Sequence, residues 1–209
     1  MCDENLPWIL GGPAARWGPR AAGVKVNVIL TGLRGTGKSS VGKVLAQRLG
    51  FTFIDTDTLI EALAGSRIAA IVAQRGWEHF RALERQVVTR VAATDRHVVA
   101  AGGGTLIDEE NARLLKRRGV VVLLVCELPI LQRRIALESN RPSLTGLIGQ
   151  GSAEAELAQV WEARRARYQA VADVMYDVSA ESANVVEDLA RKAADLEALL
   201  HQSPGFRMG

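Results

Sequence analysis

A glycine-rich segment of the sequence matches a phosphate-binding pattern in full. Residues 32–39 read Gly-Leu-Arg-Gly-Thr-Gly-Lys-Ser, which fits G-x-x-x-x-G-K-[ST] between a predicted strand and a predicted helix. Glycines let backbone N–H groups wrap around phosphate oxygens, and the start of the helix adds a favourable partial charge. We therefore expect Lys38 to reach the β- and γ-phosphates of a nucleotide and Ser39 to bind Mg²⁺. The alternative is a coincidental glycine-rich turn, and the pattern does not specify one reaction.

Two carboxylates follow the next short apolar stretch. Asp55 and Asp57 flank Thr56 directly after residues 51–54. If the extended conformation continues, side chains two residues apart point the same way, so both carboxylates would face the phosphate loop. One could support Mg²⁺, and the other could accept a hydrogen bond from a substrate hydroxyl. The alternative is that Asp57 only caps a helix that starts near Thr58.

Two arginines could bind an anionic substrate, because a guanidinium group captures a carboxylate or phosphate in bidentate fashion. Arg81 is followed by Glu84 on the same predicted helix, so an ion pair within the helix is the alternative. Arg164 lies in an arginine-rich run, which is also typical of a solvated helix face. Both arginines are candidates that depend on where the fold places them.

Two glycine-containing segments are candidates for contact with a ligand. Gly102–Gly104 ends a predicted strand, where N–H groups can approach a ligand closely, and a tight turn is the alternative. Residues 139–152 are polar and glycine-rich and carry Arg141. Such a segment suits a lid that closes on a phosphoryl group, and the alternative is an ordinary surface loop.

Apolar stretches alternate with amphipathic stretches along the body of the chain. Alternating strands and helices imply a parallel sheet covered on both faces, with ligands at the carboxyl ends of the strands. Most of the candidate residues lie at or near those ends. Asp108 is a plausible N-cap. The predicted strands are 24–31, 51–54, 97–101, 120–126 and 174–178, and the predicted helices are 38–49, 59–73, 78–93, 108–116, 129–137, 154–172 and 185–200.

Composition indicates a globular protein and leaves its partners open. The 209 residues carry a net charge of +3 and are 48% apolar, which excludes a disordered or collagen-like chain. Two cysteines exclude a disulfide scaffold and indicate a reducing compartment. The longest apolar run, residues 120–126, is far shorter than the ~20 residues that span a bilayer. We expect a cytoplasmic monomer that binds neither nucleic acid nor membrane.

The two ends of the sequence lack any periodic pattern. Residues 1–23 contain three prolines and are expected to form an extension outside a domain of residues 24–202. Residues 203–209 are expected to form an unstructured tail. Cys126 is predicted to lie in a buried strand as an inert core residue.

Taken in order, these motifs closely resemble those of the shikimate kinase family. The match covers roughly residues 24–180, whereas adenylate and gluconate kinases share the phosphate loop but not the remainder. The resemblance implies an α/β, three-layer P-loop kinase fold similar to the nucleoside monophosphate kinases, with a five-stranded parallel sheet in the order 2-3-1-4-5 and a mobile lid. The motifs are 32–39, Asp55-Thr-Asp57, Gly76…Phe80-Arg81…Glu84, Gly102–Gly104, Arg141-Pro-Ser-Leu and Arg164-x-x-x-Tyr168.

The resemblance further implies a reaction and a role for each motif. The reaction is ATP-dependent phosphorylation of the 3-hydroxyl of shikimate, in aromatic amino-acid biosynthesis. Ser39 and Asp55 resemble the Mg²⁺ site, and Lys38, Asp57 and Arg141 resemble the catalytic residues. The expected shikimate-binding residues are Asp57, Arg81, Gly103, Gly104 and Arg164. The expected ATP-binding residues are Gly32, Arg34, Gly35, Thr36, Gly37, Lys38, Ser39, Ser40, Arg141 and Arg134 or its neighbour Arg133.

Three positions depart from the family pattern. Trp77 stands where many members have glutamate, although one branch also has tryptophan. Ser143 in the lid stands where many members have leucine, and residues 179–183 carry no clear family signature, so they stay unassigned. Another small-molecule kinase, such as a gluconate kinase, is the alternative among enzymes. A catalytically silent relative that binds nucleotide as a regulatory module is the alternative outside them.

Overall fold

Five short strands, rich in β-branched and aliphatic residues, form a parallel sheet at the centre of the fold. The computed structural model describes residues 26–137 and 153–207, so the predicted lid with Arg141 and the extension at 1–23 lie outside the described residues. The strand order is β2-β3-β1-β4-β5, which confirms the order that the family resemblance implies. The strands are β1 (Asn27–Thr31), β2 (Thr52–Asp55), β3 (His97–Ala100), β4 (Gly119–Val125) and β5 (Val174–Asp177).

Helices connect the strands and cover the sheet. The predicted helix over residues 59–73 was wrong, because Gly65 adopts a left-handed conformation (φ 63°) and ends one helix before the next begins. The predicted N-cap at Asp108 is confirmed, since its carboxylate accepts from two N–H groups of the helix that follows. The helices are α1 (Lys38–Leu49), α2 (Thr56–Ala64), α3 (Ile68–Ala92), α4 (Glu109–Lys116), α5 (Leu128–Leu137), α6 (Ala153–Val171) and α7 (Val185–Gln202), with a 3₁₀ turn over Thr105–Ile107.

Two hydrophobic cores lie on opposite faces of the sheet. Phe80 of α3 belongs to the core on one face, together with Ile29 of β1. Leu45 of α1 and Leu196 of α7 belong to the core on the other face. A third core, around Leu157 of α6, lies beneath α5 and α6. Burial of aliphatic side chains on both faces explains why the central strands are nearly continuous apolar runs.

The C-terminal tail differs from its prediction. Phe206 is only 4% exposed and packs beside Phe51, with 6.4 Å between the ring centroids. The expectation of an unstructured tail is therefore wrong as far as Arg207. The prediction missed this contact because a single apolar residue after a helix produces no periodic pattern.

The described helices differ from membrane-spanning helices in their combination of length and composition. None of the helices within residues 26–137 and 153–207 combines the length and the apolar character that a bilayer span needs.

Cys126 follows β4 rather than lying in it, and its side chain is only half-buried. The prediction of a buried strand cysteine was wrong, because β4 ends one residue earlier than its apolar run.

Candidate active site

The phosphate loop, residues 32–39, connects β1 to α1 as the sequence predicts. Gly37 caps α1 in a left-handed conformation (φ 81°) and has no side chain to occupy the first N–H groups of the helix. Lys38 Nζ donates to the carbonyl oxygens of Gly32 (3.0 Å) and Leu33 (2.8 Å). Thr36 Oγ1 also donates to the Leu33 carbonyl at 2.8 Å, and this buried hydrogen bond stabilises the conformation of the loop. The arrangement places a cation and backbone donors at one helix N-terminus, which suits an anion.

Asp55, rather than Asp57, caps the helix that follows β2. Its Oδ1 accepts from the N–H groups of Asp57 (3.0 Å) and Thr58 (3.4 Å), and α2 begins at Thr56. Its Oδ2 accepts from Ser39 Oγ at 2.6 Å. The interpretation of Asp57 as the cap is therefore wrong. The expectation that both carboxylates extend in one direction from a continuing strand is also wrong, because the helix begins between them.

The Asp57 carboxylate lies against the glycine run, residues 102–104, at the end of β3. A Cβ on Gly102 would stand 2.5 Å from Asp57 Oδ1 and 3.0 Å from Thr105 Oγ1. The Gly102 N–H also donates to Thr56 Oγ1 at 2.9 Å, which ties the start of α2 to the end of β3. A side chain at position 102 would therefore displace the Asp57 carboxylate, which lies at the residues that follow β3.

Arg81 forms the predicted ion pair and also reaches the glycine run. Its Nη1 lies 2.6 Å from Glu84 Oε2, and a Cβ on Gly104 would stand 2.7 Å from its Nη2. Glu84 is buried, and its other oxygen accepts from Thr105 Oγ1 at 2.7 Å. The ion pair and the binding role are therefore compatible, because Glu84 holds the guanidinium at the edge of the cleft.

Trp77 is a neighbour of Arg81 that the sequence marked only as a departure from the family pattern. The Arg81 guanidinium lies 5.7 Å from the Trp77 ring centroid, within the range of a cation–π contact. Trp77 stacks edge-on against the buried Phe80 and is 41% exposed. It follows Gly76, whose non-helical backbone (φ 78°, ψ 171°) interrupts α3. The interruption directs an aromatic ring toward the arginine.

Helix α6 brings Arg164 to the middle of the glycine run. Arg164 Nη1 donates to the Gly103 carbonyl at 3.0 Å, and the Tyr168 hydroxyl donates to the same oxygen. Burial raises the pKa of the Tyr168 hydroxyl, so it stays a hydrogen-bond donor at neutral pH. The solvated-face interpretation of Arg164 is wrong, because its side chain is half-buried and faces the site.

Arg134, and not Arg133, lies against the phosphate loop. Its Nη1 donates to the Gly35 carbonyl at 3.3 Å and its Nη2 to the Val178 carbonyl at 2.9 Å. Arg133 is exposed and pairs with Glu181. Of the two arginines that the sequence leaves open for ATP, Arg134 is therefore the one with a hydrogen bond to the phosphate loop.

Two further predicted residues lie at the rim of the loop. Arg34 lies 4.0 Å from the carboxylate of Glu156 on α6, and Ser40 is exposed on the first turn of α1.

Sequence reasoning gave no role to Glu181, which binds both Arg133 and Arg134. No pattern marks an isolated glutamate in a polar loop, and only the fold brings it to α5.

A hydroxyl and a carboxylate meet at the predicted magnesium site. Ser39 Oγ and the Asp55 carboxylate are oxygen ligands of the kind that Mg²⁺ prefers. In residues 26–137 and 153–207, no group of three His, Cys, Asp or Glu side chains could hold a metal ion. Mg²⁺ in nucleotide sites takes one or two protein ligands and completes its shell with phosphates and water, which fits this donor pair.

The fold and the site together define a P-loop kinase. The sheet has the order 2-3-1-4-5, and its carboxyl edge carries a phosphate loop, two aspartates and two arginines. The shikimate kinase family model matches residues 34–194. The chain belongs to the shikimate kinase family.

Individual relatives agree with the family match. A shikimate kinase of Geobacter metallireducens is 42% identical over 163 residues, which are 78% of this chain and 87% of that protein. One from Caldanaerobacter subterraneus subsp. tengcongensis is 37% identical over 153 residues, 73% of this chain and 86% of that protein. The structure of a shikimate kinase from Acinetobacter baumannii in complex with shikimate superposes with a TM-score of 0.72 at 31% identity, covering 85% of this chain and 95% of that one.

Proposed function

We propose that the chain transfers the γ-phosphoryl group of ATP to the 3-hydroxyl of shikimate, giving shikimate 3-phosphate and ADP. The observation that carries the proposal is the convergence of Asp57, Arg81 and Arg164 on residues 102–104, beside the phosphate loop. A small ligand with hydroxyls and one carboxylate has groups for both kinds of side chain. The related A. baumannii enzyme, whose structure contains shikimate, supports this ligand.

The proposed mechanism assigns binding and proton transfer to separate side chains. Arg81 and Arg164 bind the carboxylate of shikimate, which fixes the ring. Asp57 accepts the proton of the 3-hydroxyl. At the same time the hydroxyl oxygen forms a bond to the γ-phosphorus, and the bond between the γ-phosphorus and the β–γ bridging oxygen breaks. Lys38 binds the β- and γ-phosphates, and Arg141 binds the transferring group. Positioning and charge neutralisation are most of what phosphoryl transfer requires of a protein.

Mg²⁺ is the proposed cofactor, and it would be held by Ser39 and Asp55, whose side-chain oxygens lie 2.6 Å apart. When bound, it neutralises charge on the phosphates of ATP. The dual role of Asp55 supports this assignment, because the N–H groups of α2 hold its carboxylate in place beside Ser39. The cytoplasmic location and the monomeric state stay predictions from the sequence, as does the expectation that nucleic acid and membranes are not partners.

One assay tests the proposed function against its alternatives. The chain is supplied with Mg²⁺ and ATP, together with shikimate or gluconate, and ADP release is followed. We expect release that depends on shikimate. Release that depends only on gluconate would identify another small-molecule kinase. ATP binding without any acceptor-dependent release would identify a nucleotide-binding module.

A further inference from the structure

We propose that Glu181 is a positioning residue for the nucleotide, which holds Arg134 beside the phosphate loop and thereby sets the affinity for ATP. The inference rests on the proposed function, because it takes Arg134 as a residue that contacts ATP. Glu181 lies in the segment between β5 and α7 that has no family signature, so the inference concerns this chain in particular.

The geometry fixes the Arg134 guanidinium at each of its nitrogens. Nε donates to Glu181 Oε1 at 2.9 Å, while Nη1 and Nη2 donate to the carbonyls of Gly35 (3.3 Å) and Val178 (2.9 Å). The two carbonyls belong to the phosphate loop and to the residue just after β5. Arg134 therefore connects α5 to the phosphate loop and to the end of the sheet, and Glu181 adds the contact at Nε.

Charge distinguishes Glu181 from the other partners of Arg134. Within the part of the chain that the structure describes, the remaining hydrogen-bond partners of this guanidinium are two backbone carbonyls and the Cys126 thiol. The hydrogen bond to Arg134 lowers the pKa of the Glu181 carboxyl, so Glu181 is ionised at neutral pH. A charged hydrogen bond is stronger than a neutral one, and it orients the guanidinium plane.

The second oxygen of Glu181 binds Arg133, so one carboxylate is shared by two neighbouring arginines of α5. Arg133 is largely exposed, whereas Arg134 is mostly covered. An exposed ion pair contributes little to the stability of the fold. The Arg133 pair should therefore contribute little to folding, and the stability of the fold should depend on Glu181 mainly through its contact with the mostly covered Arg134.

The expected effect follows from the freedom that Arg134 would gain. Without Glu181, the Nε contact is lost, and the side chain must be immobilised again when ATP binds. Immobilising one long side chain costs roughly a two- to tenfold loss of affinity. Shikimate binding should not change, because Arg81 and Arg164 lie at the glycine run on other helices.

The test compares Glu181→Ala and Glu181→Gln with a matched control, Glu187→Gln. Glu187 is also exposed and lies in the first turn of α7. ATP affinity is measured by calorimetry, and kcat, the KM for each substrate and the thermal midpoint are measured in parallel. We expect Glu181→Ala to weaken ATP binding roughly two- to tenfold, Glu181→Gln to weaken it less, and Glu187→Gln to leave it unchanged. The kcat and the KM for shikimate should stay at wild-type values, and the thermal midpoint should fall by no more than about 2–4 °C.

A double variant separates positioning from a general structural role. Because Glu181 acts through Arg134, adding Glu181→Ala to Arg134→Ala should cause no further loss of ATP affinity. Additive losses would overturn the inference, and so would unchanged ATP affinity in Glu181→Ala or a lowered thermal midpoint with both KM values raised. Calorimetry needs no acceptor. A wild-type chain that binds ATP but lacks shikimate-dependent ADP release would therefore refute the proposed function separately.

Discussion

At the scale of single residues, Arg164 offers the sharpest test of the substrate site. Its guanidinium donates to the Gly103 carbonyl, and we propose that it binds the carboxylate of shikimate. We expect Arg164→Ala to raise the KM for shikimate strongly and to leave the KM for ATP nearly unchanged. Loss of an arginine that pairs with a buried charge costs about 2–5 kcal/mol, by analogy with charge pairs at interfaces. Steady-state kinetics with each substrate varied in turn measures the effect.

Arg165 provides the control for this variant. It lies next in the chain but is exposed, where it pairs with Glu162 at 3.2 Å. Arg165→Ala should leave both KM values close to wild type, because an exposed pair contributes little. Shikimate kinetics that remain unchanged in Arg164→Ala would refute the role of Arg164.

The carboxylate pair shows what residue types alone can predict. The order strand, Asp55, Asp57 predicts two carboxylates near the phosphate loop. Asp55 meets Ser39 there, whereas Asp57 lies against Gly102. Which of the two caps α2 depends on where the helix starts. That start is held by the hydrogen bond from the Gly102 N–H to Thr56 Oγ1, between residues distant in the chain. Sequence spacing carries no information on such a contact.

At the scale of secondary structure, the break in α3 determines where Trp77 lies. Gly76 combines φ 78° with ψ 171°, a region of backbone conformation that glycine alone adopts readily. A Cβ there would meet no atom within 4 Å, so the cost of a side chain is backbone strain and not a steric clash. We expect Gly76→Ala to lower the free energy of unfolding by about 1–3 kcal/mol, measured by denaturant titration.

Gly65→Ala is the matched control for the broken helix. Gly65 also has open space around it, but its φ of 63° and ψ of 21° lie in the left-handed helical region, which other residues enter at lower cost. The loss of stability in Gly65→Ala should be smaller than in Gly76→Ala. No loss in Gly76→Ala would show that the segment can adopt another backbone path without penalty. Equal losses would show that the backbone conformation of Gly76 is no more costly for alanine than that of Gly65.

Helix boundaries in this region were the least predictable part of the fold. Apolar residues continue at helical spacing from Leu59 through Ile71, so periodicity alone joins α2 to the start of α3. The glycine at position 65 ends α2, and the chain turns before Ile68. Elsewhere, α1 was predicted at its observed bounds, since a phosphate loop fixes where the helix after it begins.

At the scale of the whole molecule, the sheet order places the site. Strands β1 and β3 are neighbours, with the Leu30 position opposite Ala100, so the phosphate loop and the glycine run emerge side by side. Alternating strands and helices predicted a parallel sheet, but only the resemblance to a known family predicted the order of its strands. Strand order depends on pairing between distant residues, and one sequence does not contain that information directly.

The C-terminal segment closes one of the three cores, and this contact has a measurable consequence. Phe206 is buried beside Phe51 in the core that α1 and α7 form with the sheet. Truncation of a well-packed phenylalanine to alanine costs about 3–5 kcal/mol, because it removes apolar contacts and leaves a cavity. We expect Phe206→Ala to lower the free energy of unfolding by about this amount in a denaturant titration, with an unchanged slope.

Arg207 is the appropriate control, since it is exposed and donates only to the carbonyl of Phe206 among the bonds the structure describes. Arg207→Ala should change the free energy of unfolding by no more than about 0.5 kcal/mol. Phe206 belongs to a core that contains none of the predicted site residues. Phe206→Ala should therefore keep the wild-type kcat and KM values at temperatures where it is folded. If Phe206→Ala were as stable as Arg207→Ala, the tail would contribute nothing to the core. The domain would then end where the sequence alone places it, with α7.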